Sequence, residues 1–275
     1  MASSSRRCDS FVTVEVYPSA QDAGDVVSTH RKHPEDPTLG MLRGAMCRRS
    51  SVPDGGPGPR HVTAIRRPDE ADLARITADK TVLIDRLLDV VEHEIVPLTR
   101  AGVREGNKIF GGAVLRKSDL STVVVVTNRE SVNPLDHGEI ATINAFYEIP
   151  LGERPRAAET IFLSTHEPCP LCLGGLTWGG WDNFFYLFSY QDTKDAFSIP
   201  HDIRLNEEIW RVKDGEYDHK NRYWCAWHIP ALIEACDPAV RGDFVRRAAG
   251  LAATYAELSA IYQASKGSGA EIPLA

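Results

Sequence analysis

The 275-residue chain is 43% hydrophobic and 25% charged, an ordinary globular balance with enough length to bury a sizeable core. Its 31 Lys/Arg against 38 Asp/Glu leave a formal charge of −7, which argues against the dense cationic surface that non-specific nucleic-acid binding needs. No apolar run approaches the ~20 residues of a membrane span, and six cysteines are too sparse for a disulfide scaffold, so a soluble protein of the reducing cytoplasm is expected.

Residues 1–60 hold two aromatics, Phe11 and Tyr17, of the chain's 22, and 12 glycines and prolines that culminate in the PDGGPGP run at 53–59. Eight basic and seven acidic residues nearly cancel there. Little offsets the entropy of ordering such a stretch, and residues 1–67 are expected to form a disordered extension. The alternating FVTVEVY at 11–17 would make a strand only with a partner. The MASSSRR start is followed by no apolar segment, which argues against a secretory signal. Asp9, Glu15, Asp22 and Asp25 come too early for an organelle transit peptide.

From about residue 69 the pattern changes. Leu73, Ile76, Leu83, Leu87, Val91, Ile95 and Leu98 recur at steps of three, four and seven, an amphipathic helix in two pieces over 71–100. Apolar or β-branched runs at 109–116 and 122–128 flank KSDLS, a hairpin signal. A helix over 137–148 is stopped by Pro150 and Gly152. A buried strand over 160–165, a helix over 170–179, a strand over 183–190 and a helix over 202–212 follow, and a long helix covers 238–263. Two strands in a hairpin, then strands alternating with helices, predict a three-layer α/β domain with crossover connections. The expected organisation is an extension at 1–67, a domain at 68–212, and an aromatic segment with a last helix at 213–275 that packs on it.

His137-Gly138-Glu139 opens one predicted helix and Pro168-Cys169-Pro170-Leu171-Cys172 opens the next. The 31 residues between His137 and Cys169 hold one helix, one strand and their turns, so two helix N-termini converge. Cysteines at C-x-x-C spacing on a helix start can chelate one ion, with thiolates favoured by the local dipole. A neighbouring imidazole makes three protein ligands, the number in a catalytic rather than a structural zinc site. Such a zinc acidifies a bound water and supplies hydroxide. Glu139 is placed to move protons without binding the metal. A redox pair or half a structural zinc site are the alternatives, but no second C-x-x-C occurs, and Cys225 and Cys236 are too far apart to form one.

This combination, H-x-E followed by P-C-x-x-C, resembles the cytidine deaminase-like superfamily, which includes cytosine, guanine and tRNA adenosine deaminases. The likeness runs from about Asn107 to Trp210 and includes Gly112-Ala113-Val114-Leu115, Thr127-Asn128-Arg129 and the EPCPLCLGG string at 167–175. Gly138 departs from the commoner Ala, and Gly179-Gly180 from an Ala-Arg pair. The resemblance implies an α/β/α fold with a central mixed sheet, a Zn2+ cofactor held by His137, Cys169 and Cys172, and Glu139 as catalytic proton carrier. It also implies that Asn128 contacts the base, with a turn residue closing the strand as the competing reading, and that the Gly138 N–H faces a substrate carbonyl.

The stretch with Trp178, DTKDAF at 192–197 and 202–209 looks most like guanine deaminases, and places Asp202 where an acid reads guanine's donor edge. Two N–H donors side by side suit a carboxylate; a helix N-cap is the other reading of Asp202. His137-Gly138-Glu139-Ile140 with Thr142 resembles the fungal type of cytosine deaminase, the second choice. Tyr223, Trp224 and Trp227 either roof the cavity or, as favoured here, anchor the last helix. The expected partner is a free nucleobase or nucleoside and the expected assembly a homodimer. The 23 basic against 31 acidic residues from 61 onward weigh against a polynucleotide deaminase or a subunit of one. Intact Glu139 weighs against a non-catalytic member of the superfamily.

Overall fold

The computed structural model describes residues 65–266 together with Ile272 and Leu274. The extension as far as residue 64, with its candidate strand and with Cys8 and Cys47, lies outside them. Among the described residues no helix is long and apolar enough to cross a membrane.

Five short β-rich runs make the strands: β1 Gly111–Arg116, β2 Thr122–Thr127, β3 Thr160–His166, β4 Asn183–Phe188 and β5 Cys225–His228. They form a mixed sheet in the order β2-β1-β3-β4-β5. β1 is antiparallel to β2 and β3, whereas β3, β4 and β5 run parallel. Alternation along each strand assigns the faces. Ala113, Leu115, Ile161, Leu163, Phe185, Leu187 and Trp227 pack on one side, and Val114, Phe162, Phe184, Tyr186 and Ala226 on the other. The central strands are buried on both faces, as parallel strands under crossover helices must be.

The first face is covered by α2 (Lys80–Val90), α3 (Val96–Arg104), α8 (Ile229–Glu234) and α9 (Pro238–Ser265). The second is covered by α4 (Gly138–Glu148) and α5 (Pro170–Gly179), through Ile143, Phe146 and Leu176. This is the expected three-layer architecture. The helical expectation over 71–100 resolves into α1 (Glu70–Leu73), capped by Asp69, and a run starting at α2, capped by Asp79. Between α2 and α3 the turn at Val91–Ile95 is π-wound. Pro97 in the first turn of α3 lacks the N–H that a regular helix would use there, which accounts for the wider turn.

Three features depart from expectation. β4 ends at Phe188 rather than Tyr190, because the Ser189 hydroxyl accepts from the Asp192 N–H and caps α6 (Tyr190–Asp195). The helix expected over 202–212 is present as α7, His201–Trp210. The aromatic segment supplies β5, so residues 213–275 complete the sheet as well as packing on it. Arg66, ahead of the expected boundary at 68, also bonds to the domain. Arg66 N and Nε each donate to Asp218 at 2.9 Å, and Lys220 N donates to the Arg66 carbonyl at 3.0 Å.

Candidate metal centre and its cavity

His137 is the N-cap residue of α4 and Cys169 that of α5, and neither side chain is spent on capping its helix. α4 starts hard against β1. A Cβ on Gly138 would lie 2.7 Å from both Gly111 N and the Phe110 carbonyl carbon, backbone atoms with nowhere to go. Glycine at this position lets the helix N-terminus approach the strand, which explains the departure from alanine noted in the sequence.

The Cys169 and Cys172 sulfurs are 3.6 Å apart, and His137 Nδ1 is 3.4 Å from the first and 3.7 Å from the second. A tetrahedral zinc with Zn–S of about 2.3 Å and Zn–N of about 2.05 Å requires edges of about 3.8 and 3.6 Å. The residues fit the ion. Among the described residues this trio is the group able to hold a metal, with ligand atoms all within 4.8 Å of one another. Its electrostatics without metal are those of a chelate. Cys169 is held well below the usual thiol range by the hydrogen bond from Cys172, against the effect of burial, and by His137. Burial and the neighbouring Cys169 thiolate push Cys172 up. Burial alone would lower His137, but the Cys169 thiolate, with Glu130 and Glu139, raises it to about 9.

Glu139 sits in the first turn of α4, buried, with Oε2 3.4 Å from Cys172 Sγ and Oε1 2.9 Å from Ser164 Oγ. Burial, then the Cys169 charge, raises its carboxyl above the usual range. The Ser164 hydroxyl also reaches the His166 carbonyl at 2.6 Å. A protonated Glu139 can donate to Ser164 Oγ while the Ser164 hydroxyl donates to the His166 carbonyl, which satisfies both contacts together. A buried carboxyl beside a metal trio, poised to take and give a proton, is suited to general acid–base work.

A cavity of about 290 Å3 opens on this group, lined by His137, Glu139 and Cys169 together with Lys108, Glu130, His166, His201 and Asp202, and by the apolar Leu135, Leu171, Leu205 and Trp210. Ile272 and Leu274 also line it. Asp202 occupies the first turn of α7, whose N-cap is Pro200, so the capping alternative for Asp202 is not what the helix uses. Burial, followed by the Cys169 and Glu139 charges, pushes its carboxyl well above the ordinary range. Asn128 is fully buried and does not line the cavity. Its Nδ2 donates to Glu130 Oε2 at 2.7 Å, and its Oδ1 accepts from Glu130 N at 3.1 Å. This is the turn geometry that competed with base contact in the sequence. Glu130 faces the cavity in its place. Gly138 is buried in the first turn of α4 behind His137.

The aromatic trio does not roof the site. Trp224 Nε1 donates to Thr177 Oγ1 at 2.9 Å and its ring meets Phe184, while Trp227 stacks on Phe185 at 6.0 Å. Tyr223 is 58% exposed. The segment touches the site through His219 instead, whose Nε2 lies 3.1 Å from Glu167 Oε1, while Glu167 Oε2 accepts from Tyr190 N at 2.9 Å. Trp178, part of the guanine-type likeness, is 92% exposed and lies outside the cavity lining. Sequence reasoning passed over Lys108, Glu130, Ser164 and His219. Glu130 follows Asn128-Arg129 directly and carried a signal; the others become visible only in three dimensions.

No family model matches the chain, and no curated protein does. Among solved structures it is similar to a guanine deaminase from Bacillus subtilis, 28% identical at a TM-score of 0.32 over 37% of this chain and 64% of that one. It is also similar to the guanine deaminase from Nitrosomonas europaea, 17% identical at 0.40, over 74% and 94% of the two chains. A tRNA:A34 deaminase of A-to-I editing at the wobble position matches at 20% identity and 0.28, over 34% and 67%. The chain thus spans about two thirds of the length of the Bacillus enzyme.

Proposed function

We propose that this chain is a zinc-dependent hydrolytic deaminase of a small nucleobase or nucleoside, with guanine as first choice and a cytosine-type base as second. The observation that carries the reading is the trio His137, Cys169 and Cys172 at the edge lengths of a zinc tetrahedron, opening on a cavity that Glu139 also lines. When bound there, zinc supplies a water acidified toward neutrality.

Everything else falls to the chain's own residues. Glu139 takes a proton from the attacking water, delivers one to the ring nitrogen and passes one to the leaving amine, which departs as ammonia. Its raised carboxyl suits both halves of that traffic. Asp202 faces the cavity from α7, where a base with adjacent N–H donors can bond to both of its oxygens. Such bonding favours the ionised form against the burial that raises its pKa. Asn128 serves by fixing Glu130, through the 2.7 Å bond from its Nδ2 and the bond its Oδ1 accepts from Glu130 N. A cavity of about 290 Å3 is at the small end of ligand sites, in keeping with a single base rather than a polynucleotide.

The test is ammonia release from a panel of free bases and nucleosides, with zinc measured in the same sample. About one zinc per chain and turnover of guanine or cytosine is the expected result. Full zinc occupancy in Cys169→Ser would refute the ligand assignment, and zinc without turnover of any base or nucleoside would refute the activity.

A further inference from the structure

The N-R-E turn at 128–130 holds a buried charge pair that the deamination chemistry leaves unused. Glu130 Oε1 accepts from Lys108 Nζ at 2.8 Å, and the two side chains are 2% and 6% exposed. Burying such a pair brings little stability over an apolar replacement, so its presence beside the cavity points to other work. The same Oε1 lies 3.5 Å from His137 Nε2. Asn128 bonds both to Glu130 Oε2 and to the Glu130 N–H, which fixes the direction of the carboxylate.

The two nitrogens of His137 therefore face opposite chemistry: Nδ1 the cysteine sulfurs, Nε2 a carboxylate. A negative charge on the Nε2 side favours the hydrogen on Nε2 and frees the Nδ1 lone pair for an ion. In an enclosed site a full charge at this distance acts strongly even where the separation is long for a hydrogen bond. We propose that Glu130, balanced by Lys108 and aimed by Asn128, is a positioning residue that holds His137 with Nδ1 toward the metal. The inference rests on the zinc reading of the trio, and not on which base is deaminated.

Three full-length variants test it: Glu130→Gln; Lys108→Met/Glu130→Gln, which leaves no lone buried charge; and Glu130→Asp, which keeps the pair but draws the carboxylate back from His137. The readouts are the rate of zinc transfer to a chromogenic chelator, the ligand-field bands of the cobalt(II)-substituted protein and the melting point of the metal-free protein. Zinc release is expected to be ~10–100-fold faster in Glu130→Gln and the double variant, with shifted cobalt bands and an intermediate rate for Glu130→Asp. The double variant should melt near the parent, which separates the metal effect from the fold. Parent-like zinc release and cobalt spectra in the variants that fold would overturn the proposal and leave Glu130 as a charge balance alone. A parent protein that takes up no zinc would overturn both the zinc reading and this inference. A parent that holds zinc but deaminates nothing would sink the proposed activity, and the zinc-release comparison would still decide Glu130.

Discussion

On the metal side of the cavity, two helix N-termini bring three ligand atoms within 4.8 Å, and Gly138 packs backbone on backbone behind them. On the other side, His201 and Asp202 arrive from the start of α7, with Leu205 and Trp210 further along the same helix. The first arrangement has almost no freedom to change without moving β1. The second is held by side chains whose replacement leaves the strands in place. In the proposed deaminase, the chemistry common to many amines is thus assigned to rigid backbone, and recognition of the rest of the substrate to exchangeable positions. Changes on the metal side should therefore abolish all turnover together, and changes on the far side should redistribute it among substrates.

The largest effect should come from Glu139→Gln. The variant keeps shape and folding but cannot accept a proton, and ~10²–10⁴-fold of rate is the usual cost of losing such a group. Turnover of every substrate should collapse in parallel, with zinc content unchanged. Near-normal turnover of the best substrate would remove Glu139 from the mechanism.

Gly138→Ala is expected next. Its Cβ would sit 2.7 Å from two backbone atoms of β1, so the helix start must shift. Overpacking of this kind costs about 1–3 kcal/mol, visible in the melting point. A displacement approaching 1 Å at His137 costs ~10²-fold in turnover. A variant with parent-like stability and rate would show that the approach of α4 to β1 is looser than described.

Much of the metal side was legible because its spacing is local. H-x-E and C-x-x-C each lie within about one helical turn, and helical spacing followed by Pro150 and Gly152 marked the first of the two helices. The sheet was legible in its hairpin and central strands for the same reason, since β-branched and aromatic runs alternate between two apolar faces. β5 was not, because its four residues, CAWH, are a short run that joins the sheet through β4, far away in sequence. α6 was hidden because Tyr190 extends the apolar run of β4 while Ser189 quietly caps a helix. The polar pairs around the cavity were the least legible. Lys108 and Glu130 are 22 residues apart, and Glu167 and His219 are 52 apart, distances at which pairing is decided by tertiary packing alone. Asn128 is read two ways: the likeness implies a base contact, and the turn it sits in engages both ends of its amide.

Asp202→Asn should be smaller and selective. It exchanges one acceptor for a donor facing the cavity, and a hydrogen bond to a charged group contributes about 1.5–3 kcal/mol. Turnover of guanine should fall roughly 10–100-fold while a cytosine-type base, with a different donor pattern, falls less. The pH dependence follows from the raised carboxyl: as pH falls the protonated acid presents its own donor to a donor edge, so kcat/KM for guanine should decline toward acid. Asp202→Asn should flatten that acid limb. Equal losses for all substrates would place Asp202 with the chemistry instead of with recognition.

The smallest effects should come from Trp224 and Tyr223, which line neither side of the cavity. Trp224 is buried against Phe184 and gives its indole N–H to Thr177. Trp224→Phe keeps most of the ring and loses that bond, a cost of about 1 kcal/mol, or ~2–4 °C in melting point for a domain of this size. Tyr223 is 58% exposed, and its ring meets only the Arg222 guanidinium, 5.2 Å from its centroid. Tyr223→Ala should stay within ~0.5 kcal/mol of the parent, with kcat and KM unchanged for every base. Both variants leave Lys108, Glu130 and Asp202 untouched, so a rise in KM in either would mean that the aromatic segment reaches the substrate. That outcome would extend the exchangeable wall across β5 and make the cavity a three-sided site.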